Sequence, residues 1–262
     1  MLLVVPVSSH DIGLIDSFCD SICFFEPYAN HSLLVVSRPN DAKHAELVYS
    51  RISKSFLNSG IHIFNKNGNI GWPCGPNFYW KNCIDYLLKV KNSIPWYWME
   101  IDSCPIKESW LDNLEREYFQ CKKPFLGMID NINRYDSSGD IPFLVGSSVY
   151  PGDISIFYDS WREVEYFDIA FDVLCSSKII ENCAESKIMK NCFRAKDFRC
   201  TNNGIQSINK RAMYGSLFDL EISDKIAIVH GCIDGSLSRL ICGGSNMQKN
   251  IGIFDLCVHN IK

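Results

Sequence analysis

The chain has 262 residues, 47% of them apolar and 13% aromatic, enough for one large or two small domains with a real core, which excludes a disordered chain. Twenty-six Lys and Arg against 30 Asp and Glu leave a formal charge of −4, so bulk electrostatics cannot hold the chain on nucleic acid or on an anionic membrane. Any site for a polyanion must be local.

Two apolar runs open the chain, residues 2–7 (LLVVPV) and 32–36 (SLLVV), each closed by a polar turn, 8–11 (SSHD) and 37–41 (SRPND). Unbroken rather than alternating apolarity predicts strands buried on both faces of a sheet. Between them, residues 12–23 space Leu14, Ile15, Phe18, Ile22 and Cys23 as a helix does. A second helix is expected over 42–57, with Gly60 as its stop before a third strand at 61–64. This β-α-β-α-β order opens an α/β sheet of the kind that binds ligands at the carboxyl ends of its strands, so the turns after Val7 and Val36 are the first candidates. Residues 71–77 (GWPCGPN) are too rich in Gly and Pro for regular structure, and a helix is predicted from 78 to 91.

Residues 95–102 (PWYWMEID) read as a central strand ending in acids. A helix over 109–121 turns Trp110, Leu111, Leu114 and Tyr118 inward and leaves Asp112, Glu115, Arg116 and Glu117 as an ordinary solvated face. Extended segments are expected at 124–129 and 142–158, around a polar loop at 130–140. Residues 178–211 carry eight Lys or Arg and three Asp or Glu, a local +5 that leaves −9 elsewhere; a solvated face and a phosphate-rich ligand both explain such a run. With no repeat or linker, one domain over 1–262 is expected. Thirteen cysteines without a CxxC pair or a secretory signal are read as reduced core residues. The apolar runs are too short for a membrane span, so a cytoplasmic protein without a membrane partner is expected.

The sharpest chemical feature is Glu100 and Asp102, which a strand would project to one side. Two carboxylates beside Trp96, Trp98 and Met99 repel each other unless a cation or a shared proton compensates, and Mg²⁺ or Mn²⁺ is the natural partner; a pair of exposed strand-end acids is the plainer alternative. A second constellation is 226–237 (IAIVHGCIDGSL), where a short strand delivers His230 to a Gly-flanked turn with Ser236. A neutral imidazole there could complete a metal shell, or the His could be structural.

An N-terminal β-α-β half, an acid-x-acid after a central strand and a late strand His resemble the layout of GT-A glycosyltransferases. Glu100-Ile101-Asp102 resembles that family's DxD motif, and His230 its C-terminal metal-binding His. More narrowly, 98–105 (WMEIDSCP), 110–112 (WLD), 123–125 (KPF), 149–151 (VYP), 171–173 (FDV), 230–232 (HGC) and 234–237 (DGSL) are similar, in order, to phage and bacterial glycosyltransferase-like proteins. Some phage enzymes of this kind modify hydroxymethylated pyrimidines in DNA. Two departures are Glu100 where the motif has Asp, and Ile233 where these relatives carry a Lys.

The resemblance implies a GT-A-like (Rossmann-like) α/β fold with a mixed, mostly parallel central sheet flanked by helices. Residues 1–103 would be its nucleotide-binding half and 104–262 its acceptor half. It implies a nucleotide-sugar donor, a UDP-sugar first, whose diphosphate is bridged by Mn²⁺ or Mg²⁺ held by Asp102, Glu100 and His230. The donor would lie against Pro6, Ser8, His10, Asp11, Arg38, Ile101 and Ser236, with Trp72, Gly75 and Asn77 lining the cleft or forming only a rigid Gly/Pro turn. Asp172, with Asp168 behind it, is the candidate general base or stabiliser of a sugar cation; a helix-start acid is the alternative. The acceptor would lie along 130–140 and the basic 178–211 run, modified DNA being one version, in the host cytoplasm if the protein is phage-encoded. The alternative function is a non-catalytic nucleotide or nucleotide-sugar binder on the same fold, which Ile233 favours. A nucleotidyltransferase or phosphoesterase shares the acidic pair, but the chain has neither a Gly-rich phosphate loop nor the clustered His and Asp of a two-metal site.

Overall fold

The computed structural model of the chain describes residues 1–68, 71–134, 140–155, 157, 169–191, 198–201, 204–207, 225–231 and 236–243. Strands β1 (Leu2–Pro6), β2 (Tyr28–Ser37), β3 (Phe56–Ile63) and β4 (Trp96–Trp98) alternate with helices α1 (Ile15–Phe24), α2 (Ala42–Ile52) and α3 (Cys74–Lys89). There follow β5 (Cys104–Pro105), α4 (Trp110–Cys121), β6 (Phe125–Gly127), β7 (Ile129–Arg134), β8 (Asp140–Leu144) and β9 (Val149–Tyr150). The last described elements are α5 (Phe171–Leu174), α6 (Ser176–Ile180), β10 (Cys183–Glu185), β11 (Met189–Asn191), β12 (Phe198–Thr201), β13 (Gly204–Ser207), β14 (Ile228–His230) and α7 (Ser236–Gly243).

The central sheet has seven strands in the order β10-β6-β9-β4-β1-β2-β3. Four of its six pairings are parallel, and only β9 runs against its neighbours β4 and β6. The chain builds outward from β1 to β2 and β3, then returns to place β4 on the other side of β1. That reversal of strand order opens a crevice at the carboxyl ends of β1 and β4, where α/β sheets take their ligands. Smaller sheets, β11-β14-β5 and β13-β12-β7-β8, lie downstream.

The unbroken apolarity of β1 and β2 is explained by layers on both faces. Leu3, Val5 and Val7 pack with Ile15, Phe18, Val48, Trp110 and Leu114, so α1, α2 and α4 cover one side. Leu2, Val4, Leu34 and Val36 pack with Trp80, Ile84, Trp96 and Trp98, so α3 covers the other. The second core is ring-rich: Trp96 stacks on Tyr150 at 4.5 Å between centroids and Trp80 on Phe171 at 4.3 Å. Aromatic stacking of this kind accounts for much of the aromatic content.

Several sequence expectations need correction. The third strand starts at Phe56 rather than Ile61, and Gly60 lies inside it. Pairing with β2 along its length outweighs the helical reading of 53–57, and Phe56 is anchored by stacking on Tyr28 at 4.7 Å. Helix α3 begins at Cys74, so Gly75, Pro76 and Asn77 form its first turn, where a proline's missing N–H costs nothing. The expected loop at 130–140 is largely the β7–β8 hairpin, paired from Ile129–Leu144 to Asn133–Asp140. The charged face of α4 is more than solvated. Asp112 Oδ1 lies 3.0 Å from His31 Nε2, Glu115 meets the Met1 ammonium, and Glu117 accepts from Ser186 Oγ and Lys187 N–H at 2.7 and 2.6 Å. Cys19, Cys23, Cys74, Cys83, Cys104, Cys121, Cys175, Cys183 and Cys242 are free thiols. Among the described residues, no helix is long and apolar enough to cross a membrane.

Candidate active site

At the switch point lies a cleft of about 360 Å³. Its walls come from the ends of β1 and β2, the segment after β4 and the start of α3. The β1 end contributes Pro6, Ser8, His10 and Asp11. Ser8 caps the short turn that follows: its N–H and Oγ–H both donate to Asp11 Oδ2 at 2.9 and 2.8 Å, and its Oγ accepts from His10 N–H at 3.2 Å. Burial raises the Asp11 carboxyl above its ordinary value, the Ser8 hydrogen bonds oppose this, and nearby Glu100 adds to it.

The β2 end contributes Arg38, only 4% exposed. Its Nε donates to Asp41 Oδ2 at 2.9 Å, and Tyr79 O–H donates to the same oxygen at 2.8 Å. Burial pushes the Asp41 carboxyl up, but the hydrogen bonds from Arg38 and Tyr79 outweigh it and hold it below the usual range. With its guanidinium 5.4 Å from the Tyr79 ring centre, Arg38 is a fixed positive group on the cleft wall. Trp72 and Gly75 complete this side, Trp72 being 54% exposed.

Glu100, Ile101 and Asp102 also line the cleft. They do not lie in a strand as expected. β4 ends at Trp98, and a turn closed by Ser103 N–H donating to the Glu100 carbonyl at 2.9 Å brings the two carboxylates together instead. His230 arrives because β14 pairs antiparallel with β5, Val229 opposite Cys104, directly after the acids. Its Nε2 lies 2.9 Å from Glu100 Oε2 and 3.5 Å from Asp102 Oδ1, and one ligand atom from each of the three lies within 4.8 Å of the others.

This trio has the chemistry of a cation site. Burial pushes Glu100 up, but the His230 contact outweighs it and holds the carboxyl low. Asp102 is raised to about 6 by burial first; His230 opposes this, and the charges of Glu100 and Asp11 add to it. Its Oδ1 is buried and accepts no hydrogen bond. A buried carboxylate oxygen without a hydrogen bond is costly, and a divalent cation lowers that cost. Two carboxylates and an imidazole fit Mn²⁺ or Mg²⁺, with positions left for water and phosphate oxygens.

Asp172 is the second residue of α5, and its Oδ1 accepts from Val173 N–H at 2.9 Å. Its carboxyl is raised to about 7, by burial first and then by Glu100. Gly146 lies between Glu100 and Phe171: a Cβ there would sit 3.3 Å from Glu100 Oε1 and 3.1 Å from the Phe171 ring, so a larger residue would require these neighbours to give by a few tenths of an ångström. Asn77 does not line the cleft. Its fully buried amide donates to the Ile169 carbonyl at 2.8 Å and accepts from Phe171 N–H at 2.7 Å, tying α3 to the segment that carries Asp172. Ser236 is the first residue of α7. Asp168 and Ile233 lie outside the described residues, as do 192–197, 202–203 and 208–211 of the basic 178–211 run.

Sequence reasoning missed Gly71, Pro76, Tyr79 and Trp98, which also line the cleft. Tyr79 was within reach: it lies four residues after Gly75 and shares its face once α3 starts at Cys74.

No family model matches the sequence, and no curated protein matches it. Solved structures do. One is the galactosyltransferase LgtC in complex with donor and acceptor sugar analogues, 9% identical over 95% of this chain and 98% of that one, TM-score 0.53. Another is an active-site mutant of LgtC, 10% identical over 88% of this chain and 87% of that one, TM-score 0.51. With a large, mostly parallel central sheet flanked by helices, the chain has the mixed α/β fold of GT-A glycosyltransferases.

Proposed function

We propose that the chain is a metal-dependent glycosyltransferase that moves a sugar from a nucleotide-sugar donor, a UDP-sugar first, to an acceptor hydroxyl. The observation that carries this reading is the buried Asp102 Oδ1, which accepts no hydrogen bond and lies 3.5 Å from His230 Nε2 beside Glu100, in a cleft at the switch point of a GT-A fold. Pro6, Ser8, His10, Asp11, Arg38, Trp72, Gly75 and Ile101 hold the nucleotide-sugar, with Ser236 near the diphosphate. Asp11 supplies only its second oxygen to the ligand, since Ser8 occupies Oδ2. Bound Mn²⁺ or Mg²⁺ would neutralise charge on the departing nucleoside diphosphate. Asp172, with Asp168, acts on the acceptor hydroxyl or the sugar cation; a carboxyl raised to about 7 is suited to proton transfer near neutral pH.

The acceptor version we favour is a hydroxymethylated pyrimidine in phage DNA, approached by the +5 run at 178–211, in a single-domain cytoplasmic protein. A second reading, a non-catalytic nucleotide-sugar binder, draws on Ile233 standing where a Lys is expected. The two separate on donor hydrolysis. The enzyme is expected to release nucleoside diphosphate slowly from its donor in Mn²⁺ without acceptor, measured by a coupled assay. Tight donor binding with no release would leave the binder.

A further inference from the structure

The Nδ1 side of His230 is held as firmly as the side facing the acids. Asn191 ends β11 and sits directly opposite His230 in the parallel β11–β14 pair. Its Oδ1 lies 3.0 Å from His230 Nδ1. Its Nδ2 donates to Asp130 Oδ2, at the start of β7, at 3.2 Å. The two ends of an amide are not interchangeable here: only the nitrogen donates, and a carboxylate oxygen accepts. Asp130 therefore takes the donor end and turns Oδ1 towards the ring. Oδ1 can only accept, so Nδ1 carries a proton, and Nε2 is the nitrogen turned to Glu100 and Asp102.

We infer that Asn191, oriented by Asp130, is a positioning residue that sets the ring angle and tautomer of His230, so that Nε2 is the ligand atom of the Glu100–Asp102–His230 trio. The inference rests on the metal reading above and adds two residues to it. Neither Asn191 nor Asp130 lines the cleft. Their effect reaches the site through the ring, as that of the outer partners of metal-bound imidazoles generally does.

The test is Mn²⁺ affinity, measured on the whole chain without donor by calorimetry or electron paramagnetic resonance. Asn191→Ala is expected to weaken Mn²⁺ binding about 10–100-fold while all three ligands remain. Long-range ¹⁵N–¹H spectra of the metal-free protein should show His230 protonated at Nδ1 in the unsubstituted chain and losing that fixed pattern in the variant. The double variant Asn191→Asp/Asp130→Asn exchanges donor and acceptor roles, keeps the total charge and still offers Nδ1–H an acceptor. It is expected to recover most of the lost affinity, whereas Asn191→Asp alone, which sets two carboxylates side by side, is not. Equal Mn²⁺ affinity in Asn191→Ala and the unsubstituted chain would overturn the inference and leave the metal reading standing. No Mn²⁺ binding by the unsubstituted chain would remove both. Should Asn191→Ala fail to fold, the double variant decides: recovered affinity supports the inference, and weak binding by a folded double variant overturns it.

Discussion

Asp102→Asn is expected to abolish sugar transfer and, at the same time, to stabilise the metal-free protein. The two effects share a cause. Asp102 buries a carboxylate whose Oδ1 has no hydrogen-bond partner, next to Glu100 and within reach of Asp11's charge. Its carboxyl is raised from an ordinary 3.8 to about 6. A raised folded-state value means that the native chain holds its proton longer than the unfolded chain. Its contribution to stability is therefore complete below about 4 and is lost as pH rises through about 6. At pH 8 the neutral amide escapes this cost, and the metal-free variant should be more stable by about 1 kcal/mol or more.

With Mn²⁺ added the order reverses, because the unsubstituted chain gains binding energy that the variant cannot. Several kcal/mol of charge stabilisation on the leaving diphosphate would go with the cation, a loss in turnover of about a thousandfold or more. Thermal melts of both proteins with and without Mn²⁺, beside a transfer assay, check all three parts. A variant that turns over like the parent would remove Asp102 from the metal site.

Asp172→Asn should behave in a related way through a different step. The Asp172 carboxyl is raised to about 7 by burial and by Glu100. It is half-protonated at that pH, so a rate limb that falls below about 7 is expected in the unsubstituted enzyme and should vanish in the variant. Loss of proton transfer costs about 10²–10⁴ in turnover. The sign of the stability term follows the same logic: the contribution is present at acid pH and lost as pH rises through about 7. The variant should therefore gain about 1–2 kcal/mol at pH 8, a rise of roughly 2–6 °C in melting midpoint. Donor affinity should be nearly unchanged, because Asp172 is not on the cleft wall. A variant with normal turnover would leave Asp172 as a helix-start acid.

What was legible in the sequence follows from which interactions are local. The β1 and β2 runs could be read because burial on both faces leaves an unbroken apolar string. The switch-point rule places a crevice from topology alone, and Pro6, Ser8, His10, Asp11, Arg38, Trp72, Gly75 and Ile101 line one cleft there. The start of β3 was not legible, since Leu57 and Ser59 are exposed and the strand is specified by pairing with β2. Glu100 and Asp102 were singled out for the wrong reason, strand alternation, when a turn after Trp98 brings them together.

Asn77 shows the limit for polar side chains. Its residue type and neighbours suit a cleft wall, but its partners, the Ile169 carbonyl and the Phe171 N–H, are more than 90 positions away. Asn191 and Asp130 carry no sequence signal at all. Their roles exist only once β11 is paired with β14 and β7 lies alongside, which brings together groups 61 positions apart.

The most direct measurement is a thermal-shift panel of UDP-, GDP- and CMP-sugars, each with and without Mn²⁺, on the whole unsubstituted chain. A ligand that binds only the native state at a hundred times its dissociation constant stabilises by about 2.7 kcal/mol, so a true donor is readily seen. The prediction is a rise of several degrees for UDP-sugar with Mn²⁺, a much smaller one for either alone, and none for the CMP-sugar. No shift with any nucleotide-sugar in Mn²⁺ or Mg²⁺, or one indifferent to metal, would contradict a metal-dependent donor site built on Glu100, Asp102 and His230.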